Sequence, residues 1–137
     1  MMEKLQPYVL SLLRVIVGLL FMEHGTAKLL GFPYNPAYLH LSLASLSGIA
    51  GFIELIGGFL LAIGLGTRYV AFVLSGEMAF AYFIAHAPRS FFPLLNGGEL
   101  AIVYCFLFLF FVTAGGGPVS LDAAIPRVRV RAREFAH

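Results

Sequence analysis

The chain has 137 residues, of which 60% are hydrophobic and only 12% charged, and its mean hydropathy is +0.90. Soluble domains average about 45–50% apolar and about 25% charged residues, so this composition excludes an ordinary soluble domain and defines an integral membrane protein. The net charge of +2 is mild, but Arg127, Arg129, Arg131 and Arg133 are gathered at the C-terminal end. Alternating arginines after an apolar span read as a topology signal rather than as a nucleic-acid patch. Cys105 is the only cysteine, which excludes dithiol exchange and a cysteine-based metal site within one chain.

A spanning helix needs about 20 mostly apolar residues. Four segments answer to this: about Tyr8 to Leu29, about Ser47 to Leu65, about Tyr69 to Ala87, and about Gly98 to Ala114. The expected fold is therefore an all-α, four-helix transmembrane bundle in one domain over 1–137, with a basic tail over 123–137. The start, Met1-Met2-Glu3-Lys4, leads into a full span with no small-residue cleavage site, so the first helix is expected to be retained. Gly66-Thr67-Arg68 is too short a link for anything but an antiparallel hairpin between the second and third helices. Pro88 is expected to stop the third. The longer connections, Gly31–Leu46 and Pro88–Gly97, carry aromatic residues suited to headgroup level. Lys4, Arg68 and the arginine tail fall on one side, which places both termini in the cytoplasm of a bacterial plasma membrane. No internal repeat is visible in the residues.

Each span carries one glutamate: Glu23, Glu54, Glu77 and Glu99. Arg14, His24 and Lys28 share the first span with Glu23, and His86 ends the third. A charge at the centre of a spanning helix costs about 2.5–3.5 kcal/mol on insertion scales, so something must compensate these groups. At about 1.5 Å per residue they sort by depth. Glu23, His24, Lys28, Glu54, His86 and Glu99 form an outer layer, and Arg14 with Glu77 a deeper one. His24 and Lys28 are one turn apart and share a face. Gly51, Glu54, Gly58 and Ala62 recur at helical spacing, a small-residue stripe that allows close helix approach and turns Glu54 inward. The bland alternative is interhelical glue, with Arg14 paired to Glu77 and Lys28 to Glu99. Hydrogen bonds inside membranes average only about 0.6 kcal/mol, and ionisable groups at that depth read as a functional site by default.

The residues also resemble a known family. Arg14, Gly18 and Phe21 lead to His24-Gly25-x-x-Lys28. Then come Glu54-x-x-Gly57-Gly58, Gly64 and Thr67-Arg68, followed by Met78, Ala81 and His86. Asn96-Gly97-Gly98-Glu99, Tyr104, and Gly115-x-Gly117-Pro118-x-Ser120-x-Asp122 complete the pattern. Together they resemble the DoxX family of small four-span bacterial membrane proteins, over about Leu12 to Asp122. The resemblance implies a four-helix membrane bundle and association with membrane oxidoreductases, including one that couples thiosulfate oxidation to quinone and another in thiol redox defence.

Two functional expectations follow. The first is the membrane subunit of a quinone-linked oxidoreductase. Phenylalanine-rich helices would supply an apolar slot, and His24 and Lys28 would donate to the carbonyl oxygens. Glu23, Glu54 and Glu99 would relay protons, with Arg14 and Glu77 completing the binding site. Electrons would come from a redox partner protein. The second is a non-enzymatic transporter, scaffold or assembly factor whose histidine and carboxylates hold a metal ion or a polar solute; a transport path of this size implies a homodimer. No diagnostic metal-ligand motif is present, and no nucleic-acid partner is expected.

Overall fold

Helix α1 runs unbroken from Met2 to Leu30 in the computed structural model, which describes residues 2–125. The arginines expected to mark topology, Arg127 to Arg133, lie outside the described residues. Helix α2 spans Leu46–Ile63 and α3 spans Thr67–Ala81. A single turn, α4, covers Pro93–Asn96; α5 spans Glu99–Ala114 and a last turn, α6, covers Leu121–Ala124. There is no strand among the described residues. Helices α1, α2 and the continuous stretch Thr67–Arg89 are long and apolar enough to cross a membrane, and α5, with 16 residues, is a shorter apolar helix.

Local chemistry sets the boundaries. The Ser45 hydroxyl caps α2 by accepting from the Gly48 amide at 3.1 Å, which satisfies one of the orphan amides of a helix start. Gly64, at φ +71°, ends α2 in the left-handed conformation that glycine adopts without steric cost. The third span does not stop at Pro88. Regular α geometry ends at Ala81, and a π turn over Tyr82–His86 and a 3-10 turn over Ala87–Arg89 carry the chain past the proline. The ring of a proline clashes with the carbonyl four residues back and lacks an N–H. The change of register avoids that clash, with the Ala87 amide bonding Tyr82 O five residues back.

The bundle closes as two hairpins. In the first, glycines let α1 and α2 touch backbone to backbone. A Cβ on Gly18 would come within 2.6 Å of Ala62 N, and one on Gly58 within 2.6 Å of Met22 N. This close approach is the small-residue packing that replaces the hydrophobic effect in lipid. In the second hairpin α3 packs on α5, and the Ser75 hydroxyl donates to Cys105 O at 2.8 Å. Phe21 of α1 joins the two hairpins, 5.3 Å from the Tyr104 ring and 4.8 Å from Phe108 of α5. Val17, Leu61, Ala71, Leu74 and Phe111 complete the buried core. The outer surface is equally apolar: Leu12, Ile16, Phe52, Phe59, Phe72, Phe80, Val103 and Phe106 are all exposed. A surface of this kind fits a bilayer and not water.

The ends of the hairpins share a device that the residue pattern conceals. Arg14 of α1 donates from Nη1 to Leu61 O and Ala62 O at the end of α2. Arg68 of α3 donates from Nη1 to Val112 O and Thr113 O at the end of α5. The last carbonyls of a helix have no intrahelical partner, and each first helix supplies one guanidinium to its neighbour.

Candidate functional site

The membrane-embedded polar residues divide between two ends of the bundle. At the end where α1 begins and α6 lies, Arg14 is 1% exposed and each of its guanidinium nitrogens donates to a main-chain carbonyl. Besides its bonds to α2, Nε donates to Gly116 O at 2.8 Å and Nη2 to Val119 O. Val119 N in turn donates to the Ser11 hydroxyl at 3.1 Å. The expected Arg14–Glu77 pair does not form. Depth along a helix ranks side chains but does not say which way they face, and four main-chain carbonyls converge on the guanidinium instead. Arg14 is a lock that fastens the segment Gly116–Val119 to α1 and α2.

Asp122 extends this lock. Its carboxylate accepts from Gly66 N at 2.7 Å and Thr67 N at 2.8 Å, so it caps α3 from a distant part of the chain. Burial would push the Asp122 carboxyl up. The neighbouring Thr67 hydroxyl, the two amides and the charge of Arg14 outweigh it and hold the group below the usual carboxylate range.

At the other end Lys28 Nζ lies 2.6 Å from Glu54 Oε1, with the two side chains only 10% and 4% exposed. The expected Lys28–Glu99 pair is replaced by this one. Glu99 sits on the exposed face of the first turn of α5, whereas Glu54 faces α1. The glycine stripe explains the choice: a Cβ on Gly51 would already lie 3.1 Å from Lys28 Cβ, so the Lys28 stem crosses α2 there and reaches Glu54 one turn on. Lys28 also lies 5.8 Å from the centroid of the Tyr38 ring, a cation–π contact from the connection between α1 and α2.

Glu77 approaches from α3. Leu74 packs against Gly57, where a Cβ would come within 2.6 Å of its side chain. The helices are antiparallel, so one turn beyond that contact lie Glu77 on α3 and Glu54 on α2. Both Glu77 carboxyl oxygens and Glu54 Oε2 are buried without a hydrogen-bond partner among the described residues. Leaving a buried polar group unmade costs about 1–3 kcal/mol, more if it is charged, so these oxygens, which accept when ionised and can also donate when protonated, call for a polar partner.

His24 stands one turn before Lys28 on α1. Its Nδ1 lies 2.9 Å from Leu20 O; a carbonyl can only accept, so Nδ1 carries the proton in that bond. Nε2 is then an acceptor in the neutral ring. The Tyr104 ring stands edge-on to His24 at 6.2 Å. Tyr104, on α5, and Tyr38, in the connection between α1 and α2, are neighbours that the count of ionisable residues passed over, because an aromatic ring carries no charge to compensate.

The remaining expected residues lie apart. Glu23 is exposed on α1 and Glu99 on α5. His86 Nδ1 is within 3.1 Å of Asn96 O, in a loop network where Asn96 Oδ1 accepts from Gly98 N. The structure thus pairs Lys28 with Glu54, sets the unpartnered Glu77 one turn beyond the Gly57–Leu74 contact, and stands His24 against Tyr104. No group of three or more histidine, cysteine, aspartate or glutamate side chains is arranged to hold a metal ion among the described residues.

An apolar helical bundle with a buried ion pair and unpartnered carboxyls defines a polytopic membrane protein with an intramembrane polar site. The chain belongs to the DoxX family, whose model matches residues 9–87. It is 46% identical to an uncharacterized protein of Haemophilus influenzae over 125 residues, covering 88% of this chain and 93% of that protein. A second uncharacterized protein of the same organism is 32% identical over 133 residues, covering 87% of this chain and 84% of its own. No solved structure matches. The family segment includes Arg14, His24, Lys28, Glu54 and Glu77, and ends before Asn96-Gly97-Gly98-Glu99.

Proposed function

We propose that the chain is a membrane subunit that binds the head group of a quinol or quinone between α1, α2 and α3. One observation carries the reading: Glu54 Oε2 and both oxygens of Glu77 are buried without partners, beside the Lys28–Glu54 pair. Donor-seeking oxygens select a ligand with hydroxyl groups, and a hydroquinone presents two on opposite edges of a flat apolar ring. The ring, when bound, supplies the redox chemistry. Glu54 and Glu77 accept its hydroxyl protons, and Lys28 fixes the Glu54 carboxylate in place. His24 Nε2 offers a further acceptor, with the Tyr104 edge beside it. This differs from a site built on donors to quinone carbonyls, because the His24 Nδ1 proton is engaged with Leu20 O.

In this reading electrons are exchanged with a redox partner protein, and the chain sits in a bacterial plasma membrane with both termini in the cytoplasm. The positions of Lys4 and Arg68 support that orientation. A metal-binding transporter or scaffold has less support, since the described residues offer no ligand cluster.

The test is saturable binding of a hydroquinone to the purified full-length protein in lipid nanodiscs. Binding is expected for the natural sequence and is expected to weaken about tenfold or more in Glu54→Gln, the effect of losing one charge-assisted hydrogen bond. Absence of saturable binding, or binding by Glu54→Gln and His24→Ala as tight as by the natural sequence, would overturn the proposal.

A further inference from the structure

The motifs Thr67-Arg68 and Gly115-x-Gly117-Pro118-x-Ser120-x-Asp122 take no part in the proposed function, and the fold brings them together. They wall a cavity of about 430 Å³ whose lining is mostly polar and includes Thr67, Arg68, Gly115, Gly116, Asp122 and Ala123. Helix α3 begins at this cavity and α5 ends at it, so it lies at a face of the membrane, at the level of lipid head groups. Tyr69, on its rim and 84% exposed, is a residue type that favours that level.

The cavity offers donors without acceptors, the reverse of the Glu54–Glu77 cluster. Arg68 engages Val112 O and Thr113 O through Nη1 alone, and its Nε and Nη2 have no partner among the described residues. Both stand beside Gly115, where a Cβ would come within 3.3 Å of Nη2 and 3.5 Å of Nε; glycine leaves that edge of the fork open. In the first turn of α3 the Arg68 and Tyr69 amides make no hydrogen bond among the described residues, and neither does the Gly116 amide. The Thr67 hydroxyl is wholly buried and has no partner. It faces Gly116, where a Cβ would lie 2.8 Å away, so only a bare glycine keeps the cavity open above it. Asp122 stands near, but its two oxygens already accept from Gly66 N and Thr67 N. The charge of Arg14 behind it offsets that of Asp122, which leaves the positive charge of Arg68 in excess.

We infer that this cavity binds the phosphodiester of an anionic phospholipid head group. Phosphate oxygens match adjacent N–H groups of a guanidinium, and the start of a helix favours negative charge. A free phosphate ion has the same oxygens; the position of the cavity at a membrane face, with Leu65 and Tyr69 exposed beside it, favours the lipid. Arg127, Arg129, Arg131 and Arg133 follow within ten residues of Ala123 in the sequence, and a juxtamembrane basic run attracts anionic lipid to that face.

The experiment titrates phosphatidylglycerol, phosphatidylcholine or inorganic phosphate onto the full-length protein in a nonionic detergent. Native mass spectrometry counts bound lipid, and thermal unfolding reports stabilisation and shows whether each variant is folded. Phosphatidylglycerol is expected to bind about fivefold or more tightly than phosphatidylcholine, the effect of one arginine acting on one lipid charge. Arg68→Gln, which removes the charge, and Ala123→Trp, which fills the cavity from an exposed position, are each expected to abolish that preference. Replacing the four tail arginines by glutamine is expected to preserve it. Equal binding of the two lipids by the natural sequence, an undiminished preference in both cavity variants, or its loss on neutralising the tail alone overturns the site. Inorganic phosphate bound as tightly as phosphatidylglycerol overturns the lipid as the source of the phosphate. None of these readings depends on the hydroquinone site.

Discussion

Arg14 and Lys28 stand on one helix, are both withdrawn from solvent, and are treated in opposite ways. Four main-chain carbonyls converge on Arg14 and engage all three of its guanidinium nitrogens, and the buried Thr67 hydroxyl at the rim of the lock is the one side-chain oxygen there without a partner among the described residues. Lys28 meets a single carboxylate oxygen, and three further carboxyl oxygens nearby have nothing to bind. A guanidinium is a rigid fork with five donors and suits a fixed cage of acceptors. An ammonium on a flexible stem suits a place where partners exchange. The difference teaches that polar burial in one bundle takes two forms: a guanidinium whose nitrogens are all engaged by fixed main-chain carbonyls, and a cluster of carboxyls in which three oxygens are left without partners among the described residues.

The comparison can be broken at either end. Arg14→Leu should give the largest loss of stability, at least about 3 kcal/mol, the worth of one or two charge-assisted hydrogen bonds. Thermal unfolding in detergent measures it, and Arg14→Lys should fail to restore it because a point charge cannot span four carbonyls. A fall no larger than that of a surface substitution would remove Arg14 from the role of lock. Glu54→Gln should cost about 1–2 kcal/mol, since the amide oxygen still accepts from Lys28, while hydroquinone binding falls as described above. Asp122→Asn should cost less, and mainly at neutral pH. The folded-state pKa of Asp122 lies below the usual carboxylate range, so its contribution is present above that range and disappears as the pH falls through the lower folded value. A stability–pH profile of Asp122→Asn that parallels the natural protein across the acid range would contradict this.

Much of the bundle is legible in the residues. The apolar runs locate the helices, Gly64 and Gly66 the tight hairpin, and the Gly51–Gly58 stripe the inward face of Glu54. What escapes is the choice of partners. Arg14 bonds backbone carbonyls, and a helix end offers those whatever its side chains are, so no residue type announces them. Lys28 meets Glu54 rather than Glu99 because glycines bring α1 onto α2, a matter of helix separation that depth counting ignores. Pro88 interrupts α geometry without ending the span, since a π turn absorbs the missing hydrogen bond. Glu77 is visible as an anomaly from the start, but its place beside Glu54 depends on the register of α2 against α3, which the Gly57–Leu74 contact sets.

The account turns on Glu77, the group with no partner to lose. If the lysine end is a ligand site, replacing that carboxyl by an apolar side chain of similar size removes an unsatisfied buried acceptor and nothing else. The decisive measurement is therefore thermal unfolding of Glu77→Leu, in ligand-free nanodiscs and again with a hydroquinone added. The account predicts a midpoint equal to or above that of the natural protein without ligand, and loss of the upward shift that ligand gives the natural protein. A midpoint lowered as far as that of Arg14→Leu, with the ligand-induced shift intact, would make Glu77 part of the structural glue and contradict the division between the two ends.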